Sequence, residues 1–334
     1  MTTYRKTVLV TGAAGNVGSK LCQALLDSGF VVVGVDNFFS GYRSNLTPFE
    51  GHPGFHFHER SILEPGLTAK LAAAHGRFEA MLHMAAVVSV PWSMEHPEET
   101  MAVNLQATRA LHEDARDLGV EAFVFAGSAA EYGLPLEGAA AEDQAGEPQS
   151  PYGLAKYLAS QHIEDSGWGA SLRFFNLYGP ARGKPGPYDG VVRRFMAMAL
   201  EGAPLTVFGD GLQTRDFVWV YDAVQAVLLA AGLDCQVKEA SPAVTKPPSR
   251  PLDGVYNVGS GRGTTVLELA RLLARLTGRE LAVHHLPERA GDLRHSLSDP
   301  GRLERACGYK PGTPFEEGLA RTLEWFSHNR AELV

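Results

Sequence analysis

Cysteine is scarce in this chain. Three occur in 334 residues, Cys22, Cys235 and Cys307. They are odd in number and far apart, which excludes a disulfide framework or zinc-finger spacing. Reduced thiols in a cytoplasmic protein are the expectation. No apolar run approaches the length of a bilayer span, so no membrane partner is expected. No signal peptide is expected either, because Thr7-Val8-Leu9-Val10 opens a strand pattern almost at once. Lys and Arg form no block and the formal net charge is −8, which argues against nucleic acid as a partner. The hydrophobic share of 45% at this length is enough for a substantial core in one large or two small domains.

Against that background the first seventy residues carry a pattern. Val8-Leu9-Val10 reads as a buried parallel strand. It runs into Thr11-Gly12-Ala13-Ala14-Gly15-Asn16-Val17-Gly18, and a helical pattern follows with Leu21, Leu25 and Leu26 on one side. Glycines in such a turn allow the backbone to approach a pyrophosphate at a helix N-terminus. A second apolar strand, from Val31, ends in Asp36, whose carboxylate suits the adenosine ribose hydroxyls and favours NAD over NADP. Further buried strands follow at Ala80 to His83, Ala122 to Ala126 and Ser171 to Phe175, alternating with helical patterns. The alternation predicts an α/β fold, a doubly wound parallel sheet of the Rossmann type with helices on both faces and a smaller C-terminal lobe.

A second constellation lies in Ser150-Pro151-Tyr152-Gly153-Leu154-Ala155-Lys156. Tyr152 and Lys156 are one helical turn apart and point the same way. An ammonium beside a phenol favours the phenolate, so Tyr152 is expected to titrate below its ordinary value and accept a proton near neutral pH. His56 and His58 alternate on a third strand. With no Cys or third ligand nearby in sequence they are read as surface histidines, and no metal is expected.

The glycine turn and Tyr152-x-x-x-Lys156 together resemble the extended short-chain dehydrogenase/reductases, and further motifs resemble the sugar-nucleotide 4-epimerases among them. The resemblance covers nearly the whole chain. It implies an NAD site at Gly12, Gly15, Asn16, Val17, Gly18, Asp36, Asn37, Ser40, Gly41, Ser61, Ile62, Met84, Ala85, Ala86, Asn104, Tyr152 and Lys156. Ser61 stands where the family has an aspartate for adenine, which implies weaker adenine binding. Ser128, in Gly127-Ser128-Ala129-Ala130-Glu131-Tyr132-Gly133, is implied as the third catalytic residue beside Tyr152 and Lys156. Dehydratases and decarboxylases of the family carry acids just after that serine. Alanines at 129 and 130 argue against elimination, and Glu131 is read as facing solvent or an arginine, with an acid/base role as the alternative.

For the UDP-sugar the resemblance implies Ser89, Ser128, Asn176, Val191, Thr206, Val207, Phe208, Arg215, Arg289, Asp292 and Ser296. Ser89 reads equally well as a plain loop serine. Arg215 and Arg289 would grip phosphate. Ser296, small where many epimerases have an aromatic, would leave room for an N-acetyl group or a carboxylate. The implied reaction is C4 epimerisation of a UDP-hexose through a transient 4-keto sugar, with NAD retained between turnovers. A 4-ketoreductase, a dehydratase or a non-catalytic NAD-binding sensor are the alternatives. The expected division is an NAD-binding domain at 1–178, with part of 215–262 returning to it, and a nucleotide-sugar lobe at 179–334. Residues 236–253 are expected to form an extended or poorly ordered insertion. A homodimer through helices around 95–118 and 152–166 is also implied.

Overall fold

The computed structural model describes residues 6–133, 138–183, 190–240, 246–288 and 293–332. Seven parallel strands form the main sheet. In chain order they are β1 (Thr7–Thr11), β2 (Val31–Asp36), β3 (Phe55–Glu59), β4 (Phe78–His83), β5 (Ala122–Ser128), β6 (Ala170–Phe174) and, after three strands elsewhere, β10 (Gly254–Val258). Their order across the sheet is β10-β6-β5-β4-β1-β2-β3. The order reverses between β1 and β4, so a crevice opens at the C-terminal ends of those two strands.

Helices cover both faces, which is why β1 is buried at every residue. On one face α1 (Asn16–Asp27) and α8 (Val220–Ala230) pack Leu21, Leu25, Val224 and Leu228 against Val8, Val10 and Val124. On the other, α2 (Leu67–His75), α5 (Ala107–Asp117) and α6 (Pro151–Asp165) bring Leu71, Leu111, Ala155 and Ile163 onto Leu9, Met81 and Phe123. The helical stretch from Pro97 to Asp117 is not uniform. It runs as α4 (Pro97–Met101), a widened π turn at Ala102–Gln106 and then α5. Such π turns recur at functional sites. Here the turn carries Asn104, which is fully buried.

The smaller lobe is built from short strands. β9 (Thr214–Trp219) pairs with β7 (Asn176–Tyr178), with β11 (Gly263–Thr265) and with β13 (His295–Ser296), while β8 (Leu205–Phe208) pairs with β12 (Val283–Leu286). A third core joins these to α7 (Val191–Glu201), α9 (Val266–Thr277) and α11 (Phe315–His328) through Phe195, Leu269, Leu319 and Phe326. The short helices α3 (Val90–Glu95) and α10 (Gly301–Cys307) complete the described α-helices.

The described parts of the expected insertion, 236–240 and 246–253, hold no helix or strand but are not detached from the fold. Trp219 Nε1 donates to the Glu239 carbonyl at 3.1 Å, and Lys238 pairs with Asp27 at 2.8 Å.

Candidate active site

The crevice contains a cavity of about 720 Å³. Its floor is the turn between β1 and α1. A β-carbon at Gly18 would stand 2.0 Å from the Gly12 carbonyl oxygen, so the turn closes only with glycine there. No side chain caps α1, whose N-cap is Gly15. The first-turn N–H groups of a 12-residue helix therefore face the cavity mouth, as a pyrophosphate requires.

Asp36 ends β2 beside this turn. Its Oδ2 accepts from Ala14 N at 2.9 Å and its Oδ1 from Phe38 N at 2.7 Å. Burial raises its pKa, and these backbone donors oppose the rise. Each oxygen keeps a further lone pair for a hydroxyl donor. Glycine turn, uncapped helix and terminal acid together fit a dinucleotide.

Of the residues implied for NAD, Gly12, Gly15, Asn16, Val17, Gly18, Asp36, Asn37, Ser40, Ser61, Ile62, Met84, Ala85 and Ala86 line the cavity. Gly41 does not, and packs instead on Ala14. Asn104 does not either. Its amide reads both backbone groups of Val87, donating to the carbonyl and accepting from the N–H, each at 2.8 Å. The π turn thus holds the cavity wall in place from behind. Tyr42, Arg60, Arg182 and Arg193 also line the cavity. Sequence reasoning missed them because they come from three separate loops and from α7 and share no motif.

β5 delivers the second part of the site. Ser128 begins a short turn in which Glu131 Oε1 accepts from the Ser128 N–H at 2.8 Å. α6 begins at Pro151, capped by the Ser150 hydroxyl on Gly153 N at 3.1 Å. A β-carbon at Gly153 would lie 2.5 Å from the Ala130 carbonyl oxygen, so glycine lets α6 press onto the Ser128 turn. That approach brings the Tyr152 phenol near the Ser128 hydroxyl. Ser93 of α3 accepts from Tyr152 N at 3.2 Å and joins this helix to the cavity wall. Ser128, Tyr152 and Lys156 do not line the cavity themselves.

Lys156 is buried. Its ammonium donates to the Ala126 carbonyl at 2.7 Å and lies over the Phe125 ring at 4.4 Å. Burial pushes it down to about 7, against the pull of the Glu131 carboxylate. The expected lowering of Tyr152 is overturned. Burial raises the phenol above its ordinary value, the Ser128 hydroxyl pulls the other way, and Glu131 adds to the rise. Lys156 spends its hydrogen bond on the backbone, and desolvation of the phenol outweighs the remaining help.

Glu131 faces an arginine, as one sequence reading had it. It is fully buried and accepts from Arg173 Nε at 2.6 Å. Arg173 also donates to the Glu142 carbonyl at 2.7 Å. His83 is a further buried polar residue missed in sequence. It links Thr11 at 2.6 Å to Thr108 at 3.0 Å, and burial with the nearby Lys156 charge pushes it down to about 3. It is therefore a neutral strut.

Among the residues implied for the sugar nucleotide, Ser89, Asn176 and Val191 line the cavity. Ser89 also caps α3, accepting from Trp92 N at 3.1 Å. Thr206, Val207 and Phe208 form β8, with Val207 in the lobe core. Arg215 lies on β9 and donates to the carbonyls of Thr214 and Leu293, each at 2.7 Å. Ser296 on β13 sits opposite Arg215 in register. Arg289 and Asp292 lie outside the described residues. His58 is bonded to His75 at 2.8 Å, and among the described residues no group of three or more potential ligands is placed to hold a metal.

Residues 8–240 match the model of the NAD dependent epimerase/dehydratase family. The UDP-glucose 4-epimerase of Mycolicibacterium smegmatis is 35% identical over 329 residues, covering 95% of this chain and 97% of that one. The structure of UDP-glucose 4-epimerase from Thermotoga maritima with UDP-glucose superimposes with a TM-score of 0.85 at 33% identity, covering 97% and 99%. That of Thermus thermophilus UDP-glucose 4-epimerase in complex with NAD gives 0.81 at 33% identity, covering 96% and 99%.

Proposed function

The chain belongs to the NAD dependent epimerase/dehydratase family, and from that premise we propose that it is an NAD-dependent epimerase acting at C4 of a UDP-hexose. The carrying observation is that Gly153 lets the Tyr152 helix press onto the Ser128 turn, beside a cavity that reaches from the glycine turn to Asn176. Gly12 to Gly18, Asp36 and Met84 to Ala86 would hold NAD, which supplies reversible hydride chemistry at the sugar carbon when bound.

The chain's own part is proton handling and positioning. Tyr152 exchanges a proton with the sugar 4-hydroxyl, and Ser128 hydrogen-bonds the same oxygen as it becomes the carbonyl of a 4-keto sugar. Lys156, buried without a carboxylate in contact, holds positive charge where the phenolate forms. Asn176 and Arg215 are proposed to keep the nucleotide fixed while the sugar turns over between its two faces. Glu131 is engaged by Arg173, so it is not available as the acid that a dehydratase would need. That favours epimerisation over elimination.

The sugar itself is proposed at the level of class. UDP-glucose, UDP-N-acetylglucosamine and UDP-glucuronate, each with its C4 epimer, are the candidates, Ser89 bordering the cavity and the small Ser296 being the residue that the resemblance implies for sugar size. A homodimer through α4–α5 and α6 is proposed from the family resemblance. A reducing, cytoplasmic setting is proposed because all three cysteines are unpaired. The test is incubation of the purified protein, without added coenzyme, with these UDP-sugars. Interconversion of one C4 pair with no net change in NADH absorbance is expected. Stoichiometric consumption of added coenzyme would replace the epimerase reading with a reductase or dehydrogenase.

A further inference from the structure

Two loops stand on opposite banks of the crevice. One follows β2, the other follows β4, and β1 lies between them in the sheet. Phe39 on the first and Trp92 on α3, within the second, both line the cavity. Their rings meet edge to face, with centroids 5.4 Å apart at 79°. The contact therefore spans the C-terminal end of β1, where the glycine turn presents its backbone.

The two rings are mounted differently. Phe38 has φ +57°, a left-handed conformation uncommon for a bulky residue. Its ring faces inward against Phe57 at 5.4 Å and under the Arg43 guanidinium at 4.7 Å. Phe39 next to it projects over the crevice and stays 53% exposed. Trp92 is the firmer partner. Its N–H is capped by Ser89 and its ring stacks on His96 at 4.3 Å and 28°. A phenylalanine half in solvent on a strained turn, touching a braced tryptophan across a cavity, has the build of a hinged bar against a fixed post.

We infer that Phe39 and Trp92 form a clasp that retains the dinucleotide between turnovers. The inference rests on the NAD-dependent reading above, in which the coenzyme is reoxidised in place and its escape is only a loss. A clasp slows admission and escape together. It should thus govern exchange rates more than equilibrium affinity, unlike a residue that simply binds the ligand.

The experiment measures the NAD content of the purified protein and the rate at which bound NAD exchanges with labelled NAD. Equilibrium affinity is measured in parallel. Phe39→Ala and Trp92→Ala are each expected to speed exchange about tenfold, the worth of a well-formed aromatic pair, with a smaller change in affinity. Trp92→Phe keeps an aromatic edge and is expected to restore slow exchange. Wild-type exchange rates in both folded alanine variants would overturn the clasp alone. A wild-type protein that neither carries nor binds NAD would overturn the clasp and the cofactor reading together.

Discussion

Two buried cations flank the turn that carries Ser128, and the fold treats them oppositely. Arg173 meets the Glu131 carboxylate at 2.6 Å and the Glu142 carbonyl at 2.7 Å, and stacks on Tyr132 with 5.1 Å to the ring centre. Burial works against its charge, but Glu131 and then Tyr132 outweigh it, and the guanidinium is raised above its ordinary value. Lys156 receives a backbone carbonyl, an aromatic face and only the more distant field of Glu131. It ends at about 7. One carboxylate lies within reach of both cations and is spent on one. The arginine pair is closed and braces β5 against β6. The lysine is left short of negative charge.

The sharpest way to break this contrast is Tyr152→Phe. It removes the hydroxyl proposed to exchange the proton, and turnover should fall about 10³-fold or more with the melting temperature unchanged. A folded variant with near-normal turnover would remove Tyr152 from the chemistry. On the other side of the turn, Glu131→Gln leaves Arg173 buried without its counter-charge. It should cost about 3 kcal/mol of stability, read by denaturant unfolding, and Arg173→Met on top should recover part of the loss. Full stability with the single change would mean that the pair does not brace the turn.

The third test titrates the imbalance. Lys156 binds its proton less tightly folded, at about 7, than unfolded, near 10.5. The unfolded chain therefore holds more protons between these values, so this residue's penalty is full below pH 7 and fades as pH rises towards 10. Lys156→Met should consequently stabilise the protein at pH 6 by roughly 2 kcal/mol, after the lost hydrogen bond is allowed for, and the gain should vanish by pH 10. A gain independent of pH would show that packing, not charge, is responsible.

The legible parts of this protein are those in which a few consecutive residues set their own geometry. Gly12 to Gly18 with Asp36 marked the dinucleotide floor, because turn, helix start and strand end are local events. Ser128, Tyr152 and Lys156 were singled out through spacing and resemblance. Asn104 was singled out too, for the cofactor, but it does not line the cavity, and its partner, Val87, lies 17 residues back and was not named. Phe39 and Trp92, 53 residues apart in sequence, carry no pattern that would join them. Neither did Glu131 reveal which of its two readings held until Arg173, 42 residues on, lay beside it.

By itself the sequence determined the doubly wound sheet and the glycine turn that floors the cavity, and it singled out the side chains proposed to handle the proton, since strand, turn and helix preferences are short-range. Only the tertiary structure decided which charges are satisfied and which stand short. Desolvation and electrostatic fields depend on neighbours that folding brings in from elsewhere in the chain. The direction in which Tyr152 is pushed is the plainest case: four residues of spacing said down, and the surrounding packing says up.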